Sequence, residues 1–446
     1  MRDERMKKVL VNICRLLVAV VFILSGFVKA VDPLGTQYKI TDYLEAMSLG
    51  GLVPDFLTLT ASVLLSAVEF CLGVFLLFAI QRRITSRLIL LMLLIMTPLT
   101  LWLALTDPVK DCGCFGDALV LTNWQTFGKN VVLLAAAGVV VRWPLEMFRF
   151  VSKSTQWIVI NYSAVFILAI SGWCLYYLPI FDFRPYHIGA NIQEGMTIPE
   201  GEEPPQFETT FILEKDGEQK EFTLDDYPDS TWTFIDSKTR QLSKGYTPPI
   251  HDFSIMLLEE SEEKEEAGTT YEESGDITQE VLSHEGYTFL LISPHLRHAD
   301  DSRLDLINEL YEYSCEHGYP FYCLTASTAQ EISQWCDRTG AEYPFCVTDE
   351  TTLKTVIRSN PGLLLLKNGT IIRKWSHNDL PVINEQQASL PLEKMEIGKM
   401  PQDSVPGKIL KLLLWFALPL ALLSIADRLW MWTKWLKRKK RKKDTE

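Results

Sequence analysis

Two cysteines placed two residues apart carry the most specific chemistry in this sequence. Cys112 and Cys114 lie in DPVKDCGCFGDAL, residues 107–119, with Gly113 between them and Gly116 after them. Glycines let a tight loop turn at little steric cost. Two sulfurs at this spacing reach bonding distance only with strain, and a strained disulfide is easily reduced. That suits a pair cycling between dithiol and disulfide. A fixed structural pair stays open as a second reading. A metal site is a third, though two thiolates supply only half of a usual zinc shell and no further His or Cys stands nearby. Neighbouring charge is mixed. Asp111 and Asp117 oppose a thiolate, whereas Lys110 and a helix start near Thr122 or Asn123 favour one.

Glu69 is the third candidate catalytic residue, inside the apolar run SAVEFCLGVFLLF. A carboxylate within a membrane is costly and marks a functional group or a polar contact between helices. Lys29 and Asp32 flank the end of the first apolar run and are expected to form an interfacial pair. His295 and His298 stand three apart near Asp300 and Asp301, and without a third firm ligand they read as surface histidines. No metal site is expected. Cys14, Cys71 and Cys174 fall within apolar runs and read as packing residues, and of these only Cys174 is placed to reach the Cys112 loop. Cys315, Cys323, Cys336 and Cys346 allow disulfides in three connectivities or buried free thiols. No dinucleotide, phosphate-loop or haem motif is present.

The elements that must position these groups are mostly membrane helices. Six apolar runs approach the roughly 20 residues a bilayer requires. They cover 9–31, 57–80, 84–105, 124–141, 157–179 and 409–432. Mean hydropathy over the 446 residues is +0.07, between a soluble protein and a channel. Net charge is -13, but unevenly placed. Residues 182–403 hold 42 acidic and 17 basic side chains, and the remainder holds 14 and 26. The acidic part repels phosphate and the basic part flanks apolar runs, so no nucleic-acid partner is expected. Lys and Arg gather in cytoplasmic loops of membrane proteins. Arg2, Arg5, Lys7 and Lys8, then Arg82, Arg83 and Arg87, then Arg142, Arg149 and Lys153, then the tail KWLKRKKRKKD all fall on one side of six spans. Both termini are thus expected in the cytoplasm, with the cysteine loop and the long acidic segment outside. The alternative of a cleaved first span would leave an odd count and place the basic tail outside. The tail reads as a topology anchor, compatible with attraction to anionic lipid.

Between 181 and 407 the pattern is globular. PEGEEPPQ, 199–206, reads as a linker. Residues 209–224 form two strand-like runs around Asp216-Gly217, a hairpin signal. The acidic run 259–276 reads as a solvated insertion rather than a calcium loop. Strands are expected at 287–293, 320–325 and 344–348, and helices at 277–283, 302–317, 328–339 and 350–358. A hairpin over 363–375 turns at Asn368-Gly369. This alternation argues an α/β layer fold.

Two resemblances follow from these residues. The stretch RLLVAVVFILSGFVKAVDP at 15–33, Glu69, and DCGCFGD at 111–117 resemble the DoxX-like membrane proteins, in particular the MauE-type branch tied to methylamine utilisation. The match covers about the first 145 residues. It implies a four-helix membrane bundle and an association with extracytoplasmic thiol or quinone redox chemistry or with maturation of disulfide-containing proteins. Nothing in the sequence indicates methylamine as a substrate. The element order over 287–380 resembles the thioredoxin-like fold, and Pro361 stands where that fold usually carries a cis-proline. The position of that family's Cys-x-x-Cys reads SPHLRHADDS, 293–302, and holds no cysteine, so a binding role suits this region better than thiol exchange.

The expected architecture is an α-helical polytopic bundle of about six transmembrane helices plus an α/β thioredoxin-like extracytoplasmic domain. Its divisions are 1–150 for the four-helix part, 151–180 for the fifth span, 181–407 for the outer domain, and 408–446 for the sixth span and basic tail. The expected setting is a bacterial inner membrane. The expected activity is extracytoplasmic thiol/disulfide redox at Cys112 and Cys114, with a quinone or a partner protein exchanging electrons and the outer domain binding an extracytoplasmic protein. The alternative is a non-enzymatic membrane scaffold or assembly factor. A transporter fits less well, because Glu69 is the single clear mid-span ionisable group.

Overall fold

The computed structural model describes residues 2–109, 112–215, 218–223, 232–243, 245–260, 271–402 and 404–443. Among the described residues, six helices are long and apolar enough to cross a membrane: α1 (Arg2–Val31), α3 (Asp55–Phe78), α4 (Arg82–Thr106), α5 (Asn123–Arg142), α6 (Gln156–Tyr176) and α13 (Val405–Lys443). Their bounds lie within a few residues of the apolar runs, except that α1 and α13 extend further through their charged ends. A further helix, α2 (Pro33–Ala46), follows α1 directly. Hydropathy gives no signal for it, because Lys39, Asp42 and Glu45 interrupt its short apolar face. Its start was nonetheless written in the sequence. Asp32 accepts from the Gly35 N–H at 2.9 Å, and Pro33 takes the first helical position.

The tightest crossing joins α1 to α3. A Cβ on Gly26 would lie 2.4 Å from the Phe70 nitrogen, and one on Gly73 would lie 2.7 Å from the Ile23 nitrogen. Only glycine admits such backbone approach, which is how small residues bring membrane helices together. The consequence is local. It sets the outer turn of α1, with Ser25 and Lys29, against Glu69 of α3. α13 packs on the outside through Phe416, whose ring lies 4.5 Å from Phe166 and 5.1 Å from Phe70. Asp427 fixes its other end, accepting from the Ser152 N–H at 2.7 Å and the Thr155 hydroxyl at 2.6 Å. At that same end Arg15 donates to the Phe148 carbonyl at 2.7 Å, and Arg82 to the Leu145 carbonyl at 2.7 Å. The basic loops therefore share one end of the bundle, and α2, the cysteine loop and the α/β region share the other.

Beyond α6 come α7 (Ile192–Met196) and a three-stranded sheet of order β2-β1-β3, built from β1 (Gln206–Lys215), β2 (Glu218–Phe222) and β3 (Thr233–Ser243). β1 and β2 pair antiparallel, as the hairpin signal implies, and the Asp216-Gly217 turn itself lies outside the described residues. A seven-stranded sheet follows. Its strands are β4 (Met256–Glu260), β5 (Tyr271–Asp276), β6 (Tyr287–Ser293), β7 (Phe321–Thr325), β8 (Phe345–Val347), β9 (Gly362–Lys367) and β10 (Thr370–Ser376). They lie in the order β10-β9-β6-β7-β8-β4-β5. β6, β7 and β8 are mutually parallel, and β9 runs against β6. The acidic run was expected as one solvated insertion. Its two ends instead pair as β4 and β5, with Glu259 opposite Glu272, and residues 261–270 lie outside the described residues. An exposed edge strand tolerates this charge, which also discourages further pairing.

The helices of this region are α8 (Thr278–Ser283), α9 (Leu304–His317), α10 (Ala329–Thr339), α11 (Glu350–Val356) and α12 (Glu385–Ala388). Every residue of β6 is buried, because successive side chains feed two cores. Tyr287, Phe289 and Leu291 pack under α9 and α10, with Ile307, Leu310 and Trp335. Leu290 and Ile292 pack on the other face with α8 and α11, through Val281, Leu353 and Val356. α10 begins in a capping box between Thr328 and Glu331 and ends at Gly340.

The α1–α3 crossing predicts that Gly73→Val forces the two backbones apart at a cost of about 1–3 kcal/mol. Thermal melting of the solubilised full chain should show a loss of several degrees. Gly128→Val, on an exposed face of α5 where an added Cβ meets nothing within 4 Å, should melt close to the unmodified chain.

Candidate functional site

The cysteine loop hangs between α4 and α5 at the end of the bundle that carries the α/β region. Asn123 ties its two stems, donating to Asp107 Oδ1 at 2.7 Å and the Val109 carbonyl at 2.8 Å. Thr122 starts α5 with a capping box to Gln125. The turn itself needs its glycines: Gly113 has φ +63° and Gly116 φ +50°, in the left-handed region that side chains rarely adopt. The cysteine sulfurs stand 3.1 Å apart, both half-buried and both free. Closing a disulfide would bring them to about 2.05 Å.

Two hydroxyl groups hold this loop from below. The Tyr43 hydroxyl donates to the Cys112 carbonyl. Ser25 Oγ lies 2.7 Å from the Cys114 carbonyl and 2.9 Å from Glu69 Oε2, and shares its one proton between them. Glu69 in turn receives Lys29 Nζ on both oxygens at 2.8 Å. Lys29 and Glu69 are 7 % and 8 % exposed, a buried ion pair one side chain away from the cysteines. Lys129 Nζ lies 4.6 Å over the Phe115 ring on the other side of the loop.

These neighbours separate the two thiols. The hydrogen bond from Cys112 draws the Cys114 thiol below its ordinary value; burial opposes this, Lys129 and Lys29 assist it, and Glu69 works against it. Cys112 moves up, chiefly because its proton is held in that bond, and also through burial. The cations that matter are therefore Lys29 and Lys129. Lys110 and Asp111, weighed in the sequence, lie outside the described residues.

Lys29 and Asp32 do not pair with each other, contrary to expectation. α1 ends at Val31 and Asp32 leaves the helical path with φ -125° and ψ 75°, so Lys29 turns to Glu69 while Asp32 faces the α/β region. There Arg358 Nε lies 3.0 Å from both Asp32 oxygens and Nη2 lies 2.9 Å from Oδ2. Although burial would raise it, Arg358 holds the Asp32 carboxyl below its usual value. The same guanidinium approaches Asp117 of the cysteine loop at 3.7 Å. A cavity of about 450 Å³ opens at this seam, lined by Tyr38, Lys39, Gly113, Asp117, Glu350 and Arg358 among others.

Arg358 precedes Asn360-Pro361, a cis peptide at the start of β9. Asn360 joins the loop after β6, accepting from Ser293 Oγ at 2.7 Å and donating to the His295 carbonyl at 2.9 Å. That loop holds no cysteine. His295 pairs with Glu350 at 2.9 Å and His298 is exposed, so the two histidines behave as surface groups. Among the described residues no cluster of three His, Cys, Asp or Glu side chains is disposed to hold a metal. Cys315, Cys323, Cys336 and Cys346 are all free, and Cys174 is buried among Phe166, Ile170 and Phe181.

Ser25, Lys29, Tyr43, Lys129 and Arg358 were not singled out as site residues. Ser25 and Lys29 carried a signal, being four apart on one face of α1 and thus facing the same neighbour. Arg358 carried none, since its partner is 326 residues away in sequence.

Residues 7–142 match the family described as methylamine utilisation protein MauE, and the apolar helices there fit a membrane region of that type. Residues 207–244 match a family described as a domain of unknown function (DUF8463). No curated protein and no solved structure matches the chain.

Since thiolate forms as pH rises through the thiol pKa, Cys114 of the reduced chain should alkylate with a midpoint below that of an ordinary thiol. Cys112 should remain slow up to pH 8. Peptide mass spectrometry after timed iodoacetamide pulses checks both, and equal profiles for the two would contradict the asymmetry.

Proposed function

We propose that this membrane protein handles thiol–disulfide exchange outside the cytoplasm, with Cys112 and Cys114 as its redox pair. The observation that carries the reading is the 3.1 Å approach of two free sulfurs in a glycine-turned loop, one of them drawn toward thiolate. The Cys114 thiolate attacks one sulfur of a partner's disulfide. An S–S bond forms to Cys114 and the partner's other sulfur leaves as thiolate. Cys112, on losing its proton to solvent, attacks the Cys114 sulfur of this mixed disulfide. The second partner thiolate leaves and the Cys112–Cys114 disulfide closes. Two electrons have passed to the partner, and the reverse sequence oxidises a partner dithiol. A second partner protein or a membrane quinone resets the pair.

The α/β region serves as the binding module. Its β6–β10 order, with a cis-proline before β9, supports a thioredoxin-like core. The missing cysteine after β6 supports a docking role for it. Arg358 brings its cis-proline segment to the cysteine loop, and the seam cavity offers room for a cysteine-bearing segment of a partner. The positive loops at the opposite end of the bundle support a cytoplasmic position for that end. The scaffold alternative draws on the same missing cysteine.

Cys112→Ser and Cys114→Ser should each abolish function, to the same extent, in cells complemented with the variant chain. The measurement is the thiol–disulfide state of exported cysteine proteins. An unaltered balance in both variants would favour the scaffold.

A further inference from the structure

The redox reading uses the cysteines but leaves unexplained a fully buried ion pair beside them. Glu69 is held by Lys29 through both oxygens and by Ser25, and Ser25 also reaches the Cys114 carbonyl. An ion pair at this depth is costly in lost hydration, and hydrophobic replacements often match its stability. α1 and α3 already meet through Gly26 and Gly73, so the crossing does not need it.

We propose that Lys29 and Glu69 are positioning residues of opposite sign that set the charge state of Cys114, Lys29 favouring its thiolate and Glu69 restraining it. The inference rests on the redox reading of the cysteine loop. Cys114 is faced by Lys29 from α1, Glu69 from α3, Lys129 from α5 and Cys112 from its own loop. Tyr43 of α2 touches the Cys112 carbonyl, and Lys39 of α2 lies against Gly113. Among these, Lys29 and Glu69 neutralise each other and are joined to the loop by one hydroxyl. Ionising Cys114 gives Lys29 a second anion to serve without moving it. When Cys114 becomes neutral in a disulfide, Lys29 falls back on Glu69 alone. The membrane side of the loop thus remains charge-balanced in the dithiol form and in the disulfide, and the thiolate is the state that draws on Lys29.

A purely structural pair would respond to loss of either member in the same direction. A pair that tunes Cys114 responds in opposite directions. The experiment is the pH profile of Cys114 alkylation by iodoacetamide in the full chain, purified in detergent and reduced, read by peptide mass spectrometry. Lys29→Gln should move the midpoint up by about one pH unit or more, because Glu69 is left facing the sulfur. Glu69→Gln should move it down, because Lys29 is released toward the sulfur. Lys29→Gln combined with Glu69→Gln should fall between them, and Lys29→Arg should stay near the unmodified chain. Shifts of the same sign in the two single variants, or no shift in either, would overturn the proposal. So would a Lys29→Arg shift as large as that of Lys29→Gln. If Lys29→Gln does not accumulate, Glu69→Gln decides alone: a downward midpoint supports the proposal, and an unchanged or raised one overturns it. The redox reading fails separately, by retained function in the Cys112→Ser and Cys114→Ser variants, whatever the midpoints do.

Discussion

The Lys29–Glu69 ion pair is the interaction on which the site depends. Two opposite charges buried together in a membrane helix bundle are tolerable only in near-ideal geometry with their remaining lone pairs satisfied. Here the ammonium reaches both carboxylate oxygens at 2.8 Å and Ser25 takes a further share of one. That geometry requires α1 and α3 to approach more closely than ordinary side chains allow. Gly26 and Gly73 supply the approach. The backbone of one helix pair therefore sets the charge beneath the cysteine loop, and Ser25 passes that placement on to the Cys114 carbonyl.

A second ion pair governs the other side of the loop. Asp32 both starts α2 and receives Arg358, so the helix that supports Cys112 through Tyr43 is also the dock of the α/β region. The cysteine loop is thus enclosed between a charged pair within the bundle and a charged pair at the seam. Arg358 touches Asp32 and approaches Asp117 with one guanidinium, which suits the fixed fork of arginine better than the single ammonium of lysine. An isolated Cys-x-Cys loop in water would have neither an asymmetric charge environment nor a shaped approach.

Much of this was legible in the sequence. The six spans were legible from uncharged length, and the strands and helices between Tyr287 and Trp375 from apolar periodicity, from caps such as Thr328 and Gly340, and from the Asn368-Gly369 turn. Cys112, Cys114 and Glu69 were identifiable as residue types out of place in ordinary loops and spans. What escaped were the partners. Lys29 read as interfacial because hydropathy counts charge without direction, and helix geometry alone turns it inward. α2 was hidden because amphipathic helices of mixed charge resemble loops. The β4–β5 pairing was masked by acidic composition, since an edge strand need bury only one face. Arg358 and Asp32 meet through tertiary docking, which leaves no local periodicity to read.

The central claim is that Cys112 and Cys114 cycle. Acid-quenched thiol trapping in intact cells tests it most directly, using a mass-tagged maleimide on a chain whose other seven cysteines are replaced by serine or alanine. The account predicts a mixture of dithiol and disulfide whose proportion shifts when membrane quinone is depleted or external reductant is added. A pair locked in one state under every condition would contradict it and make the loop a structural element.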